Sequence, residues 1–256
     1  MNIGIYQGRL TNANILQKFP KDWVREFRLA KLLGYHHVEL FLEKKINLKN
    51  PFWSDKKNII NKINQMKNNK AIICDNYSIY NSILRIKNIK YIKKVITHAS
   101  KFRKSKLIIP LQDCLLKKED IFVEKLVEIL RFANSKKVEI SFECDFNSNK
   151  IIYFSKKIKN KFKITFDTGN IFLKEKNLNS SFKRLKHLVN HIHIKDRDKF
   201  KMNVVLGKGL INFKSFFRLI KNLKYKKDIT LETSRGDDAV LTGHHNLSLI
   251  KNLIKS

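Results

Sequence analysis

Apolar residues along the chain follow two rhythms, and the switch between them recurs from one end to the other. In "NIGIYQG" (2–8) and "HHVELFLE" (36–43) they fall at every second position, the period of a half-buried strand. Between these lies "DWVREFRLAKLLG" (22–34), where they fall every three to four residues, as in an amphipathic helix. Asp22 suits the N-cap of that helix and Gly34 its C-terminal stop. The exchange continues with a helix over 58–69, a strand over 70–77, a helix over 86–102 and a strand over 106–114. A helix over 119–135, a strand over 138–145 and a helix over 151–160 follow. Strands at 163–170, 191–196 and 228–234 then alternate with helices at 180–190, 213–223 and 244–255.

Strictly alternating units imply a parallel sheet covered by helices. About eight such units in a chain of this length fit a closed (β/α)8 barrel, a TIM barrel, formed as a single domain over residues 1–256. A doubly wound open sheet is the competing architecture and usually carries a G-x-G-x-x-G fingerprint after its first strand. "GIYQGRLTN" has no such pattern, so the barrel is preferred.

Composition changes this picture little, apart from charge. Three cysteines (Cys74, Cys114 and Cys144) are unclustered, which gives neither a disulfide framework nor a zinc pattern, and they read as small core residues. No apolar run is long enough to span a bilayer, and the N-terminus reads as a strand rather than a signal peptide. A reduced cytoplasm is the expected location. The 54 Lys and Arg residues against 22 Asp and Glu leave a net charge of +32, a value that by itself suggests anionic partners. Yet Lys far outnumbers Arg and is spread evenly with Asn and Ile, as in "NIINKINQMKNNK" (58–70). That spread points to drift toward A/T-rich codons rather than to a concentrated nucleic-acid surface.

In a barrel the informative side chains point inward at the C-terminal strand ends, because active sites are built there. In "VEISFECD" the apolar Ile140, Phe142 and Cys144 face the helices, which turns Glu139, Ser141, Glu143 and Asp145 inward. The same sorting turns Thr165 and Asp167 inward in "KITFDTGN", His191, His193 and Lys195 in "HIHIKD", and Thr230, Glu232 and Ser234 in "DITLETS". Four consecutive strands therefore each offer one polar ligand near the top: Glu143, Asp167, His193 and Glu232. Carboxylates gathered in a buried place repel one another and are costly to desolvate, and a divalent cation removes both problems. Three carboxylates and one imidazole suit one Mn²⁺, Co²⁺ or Mg²⁺ ion, and Zn²⁺ is compatible. The competing reading is a set of solvated mouth charges paired with the plentiful lysines. His191 lies roughly 7 Å below His193 along the strand, at ~3.3 Å per residue, and reads as a hydrogen-bonded core histidine.

These segments carry a resemblance. The opening "GIYQGRL" with "FPKDWVREFRLAKLLGYHHVELF", and later "FDTGN", "HIHIKDR", "LGKGLINF" and "TLETSRG", resemble, in order, the xylose-isomerase-like TIM barrel superfamily in its sugar phosphate isomerase/epimerase branch. The resemblance implies that Glu143, Asp167, His193 and Glu232 hold one catalytic divalent ion. It also implies that Glu143 and Glu232 flank the substrate carbon as a base/acid pair. Return of the abstracted proton by the second glutamate gives epimerisation, and return to the neighbouring carbon gives aldose–ketose isomerisation. Many epimerases of this superfamily have histidine three residues after the aspartate, where this chain has Asn170. Asn can hydrogen-bond a hydroxyl but carries no charge.

Further substrate-contact candidates are Glu39, Lys195, Arg197, Arg235 and Arg9. Glu39 faces inward on the second strand and could instead orient a ligand histidine. "LGKGL" (206–210) follows the seventh strand, where barrels often bind phosphate, but a simple turn explains it equally. The expected partner is a small-molecule sugar or sugar phosphate, with no specific nucleic acid and no membrane; a homo-oligomer stays open. Two other activities share the residues. A dehydratase or lyase of a polyol derivative needs the same proton abstraction. An AP-endonuclease-like hydrolase needs a multi-zinc site, and "ELFLE", "CDNY" and "LQDC" supply none of the extra histidines.

Overall fold

The computed structural model describes residues 1–11, 20–42, 46–65, 72–75, 86–103, 105–111, 119–158 and 161–255. Eight parallel strands close into the expected barrel: β1 (Ile3–Tyr6), β2 (His37–Leu42), β3 (Ile72–Asp75), β4 (Lys106–Leu111), β5 (Glu139–Cys144), β6 (Ile164–Asp167), β7 (Val189–Ile194) and β8 (Asp228–Leu231). Each pairs with its neighbours in sequence, and β8 closes on β1 through Ile3 opposite Ile229 and Ile5 opposite Leu231. Closure leaves no sheet edge, and the helices cover the outside.

The helices are α1 (Trp23–Leu33), α2 (Lys57–Asn64), α3 (Ile86–Ala99), α4 (Glu119–Ser135), α5 (Ser148–Lys157), α6 (Thr168–Glu175), α7 (Leu178–Leu185), α8 (Phe213–Asn222) and α9 (Ala239–Lys255). The ends of α1 follow local chemistry. The Asp22 side chain accepts from the Arg25 N–H, and Gly34 closes the helix at φ 91°, a left-handed conformation that a Cβ would penalise. Between the helices and the barrel lies the apolar core. Phe142, Phe166, Ile192, Ile194 and Ile229 point out from the strands into it, as alternation requires. Phe166 stacks on Phe216 of α8 at 5.9 Å between ring centres and meets Phe182 of α7 edge-on at 5.1 Å. Each such ring contributes about 1.5–3 kcal/mol by leaving water.

Several expectations about elements need correction, and three of them bear on the site or the chain's end. The sixth strand stops at Asp167 rather than running to 170, because the Asp167 side chain accepts from the Asn170 N–H and starts α6, a helix the pattern did not show. The last helix begins at Ala239, five residues before 244. Asp145 does not face the barrel interior: the strand has ended, and its carboxylate pairs with Lys174 of α6 at 3.3 Å. Cys144 is a buried free thiol, while Cys114 and the side chains of Cys74 and Asp75 lie outside the described residues. No helix among the described residues is long and apolar enough to cross a membrane.

The lower barrel is filled by polar side chains that hydrogen-bond one another. His37 and His191 both hydrogen-bond Thr230 Oγ1 at 2.9 Å. Ser141 bonds Thr165 and Asn190, and the buried Lys106 donates to the Asn190 carbonyl at 2.9 Å. Burial holds both histidines neutral, pushing His37 down to about 4 and His191 to about 3.

Candidate active site

At the C-terminal end of the barrel, the four expected ligands come from β5, β6, β7 and the residue after β8, and parallel register sets their level. Asp167 sits opposite His193, and His193 opposite Thr230, two residues before Glu232. All four side chains are buried, and one ligand atom from each lies within 4.8 Å of the others. His193 Nδ1 is 3.1 Å from Glu232 Oε2, 3.5 Å from Glu143 Oε2 and 3.8 Å from Asp167 Oδ2.

The other face of the imidazole is fixed. His193 Nε2 lies 2.9 Å and 3.1 Å from the two oxygens of the fully buried Glu39, which also lies 3.3 Å from His191 Nε2. Nε2 therefore carries the proton that Glu39 accepts, and Nδ1 turns its lone pair toward the carboxylates when the ring is neutral. A carboxylate behind a histidine in this way is the usual support of a metal ligand. His193 Nδ1 is buried without a hydrogen bond and faces the three carboxylates. Three carboxylates and one imidazole converging as donors fit a divalent ion.

The remaining polar residues surround this cluster. Lys195 Nζ reaches back among the carboxylates, 2.9 Å from Asp167 Oδ2, 3.0 Å from Glu232 Oε2 and 3.6 Å from Glu143 Oε1. Asn170 donates from Nδ2 to Glu143 Oε1 at 3.1 Å, and its carbonyl oxygen accepts from Arg197 at 3.3 Å. Arg9 lies 3.9 Å from Glu232 and packs over the Tyr6 ring at 5.1 Å. Arg235 donates to the Thr11 carbonyl at 2.9 Å. Thus Glu39, Asn170, Lys195, Arg197 and Arg9 converge on the cluster or its contacts, while Arg235 is tied to the loop after β1.

Charge balance decides which groups ionise. Burial opposes ionisation of Glu143, but Lys195 and His193 overcome it and hold the carboxyl at about 2. Glu232 is lowered by the same two cations against the same burial. Asp167 is raised instead, chiefly by burial, with Glu143 and Glu232 adding repulsion against the pull of Lys195. Burial would discharge His193, but Glu39, Glu143 and Glu232 together raise it well above the ordinary value.

"LGKGL" forms a turn whose backbone donors are already taken. Gly207 N and Gly209 N each donate to Asp196 Oδ2 at 2.9 Å, so a carboxylate of the chain itself fills the place proposed for phosphate. Three residues missed by pattern reasoning shape the site. Thr168 brackets Lys195, Gly169 lets α6 approach it, and Glu26 of α1 accepts from Gly8 N at 2.7 Å and Leu10 N at 3.3 Å, fixing the loop that carries Arg9. "DTGN" held a clue to the first two, since a small residue and a hydroxyl follow a capping Asp.

Comparison with solved structures finds the same fold at low identity. D-psicose 3-epimerase with D-tagatose from Clostridium cellulolyticum H10 superposes with a TM-score of 0.78 at 15% identity, covering 99% of both chains. The probable 3-DHS dehydratase AsbF of Bacillus anthracis gives 0.78 at 13% identity over 98% of this chain and 99% of that one. IOLI protein with a binding zinc atom gives 0.74 at 13% identity over 99% and 98%. By sequence, no curated protein matches. A family model described as xylose isomerase-like TIM barrel matches residues 27–252, and the chain belongs to that family.

Proposed function

We propose that the protein is a divalent-metal-dependent isomerase or epimerase of a sugar or sugar phosphate, with 1–256 acting as one domain. The observation that carries this reading is the convergence of Glu143, Asp167, His193 and Glu232 on one point, with His193 Nδ1 turned inward by Glu39. These four side chains would hold the ion, with Mn²⁺, Co²⁺ or Mg²⁺ suited to the donor set and Zn²⁺ compatible. When bound, the ion would supply a Lewis acid for the carbonyl and hydroxyl oxygens of the substrate.

The chain's own groups then account for the proton transfer. A proton next to a carbonyl is weakly acidic, and its removal leaves an enediolate. Glu143 is placed to remove it: its carboxyl is buried at the cluster beside His193 Nδ1, at 3.5 Å. Asn170 donates to Glu143 Oε1 and orients that carboxyl, leaving Oε2 on the side facing His193. Glu232, whose Oε2 also meets His193 Nδ1, at 3.1 Å, is the partner that returns the proton. Arg9, Lys195 and Arg197 would supply donors to hydroxyl or phosphate oxygens at the mouth, and Arg235 a further charge beside the loop after β1.

Support at the level of the fold comes from the sugar epimerases among the structural neighbours, such as L-ribulose 3-epimerase and 3-keto-D-glucoside 4-epimerase. A dehydratase reading has its own support, the TM-score of 0.78 to the probable 3-DHS dehydratase. It shares the first proton abstraction and differs in expelling a hydroxyl. The deciding experiment incubates the Mn²⁺- or Co²⁺-loaded protein in D₂O with a panel of ketoses and aldoses, free and phosphorylated. Deuterium entering the carbon beside the carbonyl, with a new epimer or isomer of equal mass apart from the label, supports the proposal. Loss of water from the product supports the dehydratase. Absence of exchange across the panel refutes proton-transfer chemistry on sugars.

A further inference from the structure

A lysine side chain is long and rotamer-rich, so an ammonium lodged among three buried carboxylates has to be delivered there by its surroundings. Lys195 is delivered. Thr168 Oγ1 accepts from the Lys195 N–H at 2.9 Å and donates to the Lys195 carbonyl at 2.8 Å, pinning its backbone on both sides. Gly169 follows, and a Cβ there would lie 2.9 Å from Lys195 Cβ and 2.9 Å from Arg197 Nε, so only glycine lets the start of α6 lie against the lysine stem. The side chain is 10% exposed and its Nζ lies at 2.9, 3.0 and 3.6 Å from Asp167, Glu232 and Glu143. These are the three carboxylates of the candidate ion site, and the Asp167 and Glu232 oxygens that Lys195 meets also face His193 Nδ1. A divalent ion drawing on these oxygens would face a positive charge competing for them at close range.

We propose that Lys195 is the built-in counter-ion of the metal-free protein, and that a divalent ion loads by displacing its ammonium from the carboxylates toward the barrel mouth. The inference rests on the metal reading above and adds to it. The lysine keeps three buried carboxylates compatible with a folded, unloaded chain, and its displacement sets part of the metal affinity. The proton stays on the amine throughout, and no bond is made or broken.

The test titrates Mn²⁺ into chelator-stripped protein by calorimetry, comparing wild type with Lys195→Met, which keeps the apolar stem and removes the charge, and Lys195→Arg, which keeps the charge. Lys195→Met should bind Mn²⁺ at least about tenfold more tightly, as removal of a nearby like charge dictates, while Lys195→Arg stays close to wild type. The unloaded Lys195→Met protein should also melt lower than wild type and gain more from Mn²⁺. A second measurement needs no variant: reductive methylation of wild type, read by peptide mass spectrometry, should modify Lys195 faster with Mn²⁺ than without it. If Lys195→Met does not fold, this measurement decides. Equal Mn²⁺ affinity in wild type and Lys195→Met, or Lys195 methylation at the same rate with and without Mn²⁺, overturns the inference and leaves the metal reading standing. If Mn²⁺ binds none of the proteins, the metal reading itself falls and takes this inference with it.

Discussion

Glu26 offers a quantitative check on how the site is framed. Its carboxyl is fully buried; Gly8 N and Leu10 N donate to one oxygen, and Oε2 is buried without a hydrogen bond. Burial pushes its pKa from the ordinary 4.5 up to about 7, and the two backbone donors and Arg9 only partly offset that. A carboxyl raised in the folded state binds its proton more tightly there than in the unfolded chain. Its contribution to stability is therefore complete below about 4.5 and is lost as pH rises through about 7. At 1.36 kcal/mol per pKa unit the full loss is about 3 kcal/mol, of which about 2–3 kcal/mol falls between pH 5 and pH 8. Glu26→Gln keeps an oxygen for the two backbone donors and removes the titration. Melting midpoints of both proteins at pH 5, 6, 7 and 8 isolate this one group by difference. Relative to wild type, Glu26→Gln should gain roughly 5–10 °C between pH 5 and pH 8, at ~2–4 °C per kcal/mol for a chain of this size. A difference between the two proteins that stays constant with pH would refute the reasoning.

Other perturbations follow from the same geometry. Glu143→Gln and Glu232→Gln should each lower kcat about 10²–10⁴-fold on the substrate found in the panel, with the circular dichroism spectrum unchanged. Glu39→Gln, which weakens the hold on His193 Nε2, should cost about 10–100-fold in Mn²⁺ affinity by calorimetry, and unchanged affinity would remove Glu39 from the support of the site. Gly4→Ala places a Cβ 2.0 Å from His37 Nε2 inside the barrel. It should destabilise the protein by about 1–3 kcal/mol or more, seen as a lower melting midpoint.

The barrel and its inward ligands were legible because strand alternation survives burial. Ile140 and Phe142, Ile192 and Ile194, or Ile229 and Leu231 mark the outer face so consistently that Glu143, His193 and Glu232 have to point the other way. Alternation fails where a strand ends, so it turns Asp145 inward although the carboxylate pairs with Lys174. Helix α6 was hidden because its start coincides with the ligand Asp167, whose capping bond is a local event that periodicity over eight residues, Thr168–Glu175, does not reveal. Direction along the strand also differs from reach. Alternation turns Lys195 inward but does not show that its stem returns the ammonium to the level of the carboxylates. Glu26 was invisible for a different reason: its partners are backbone amides from another segment, and no side-chain pattern records those.

The central claim is that Glu143, Asp167, His193 and Glu232 together hold one divalent ion. Calorimetric titration of Mn²⁺ into chelator-stripped wild type, beside a His193→Ala variant, tests it most directly. Wild type should bind one ion per chain, and His193→Ala should lose that binding. Wild type that binds no ion, or His193→Ala that binds one ion with unchanged affinity, would contradict it.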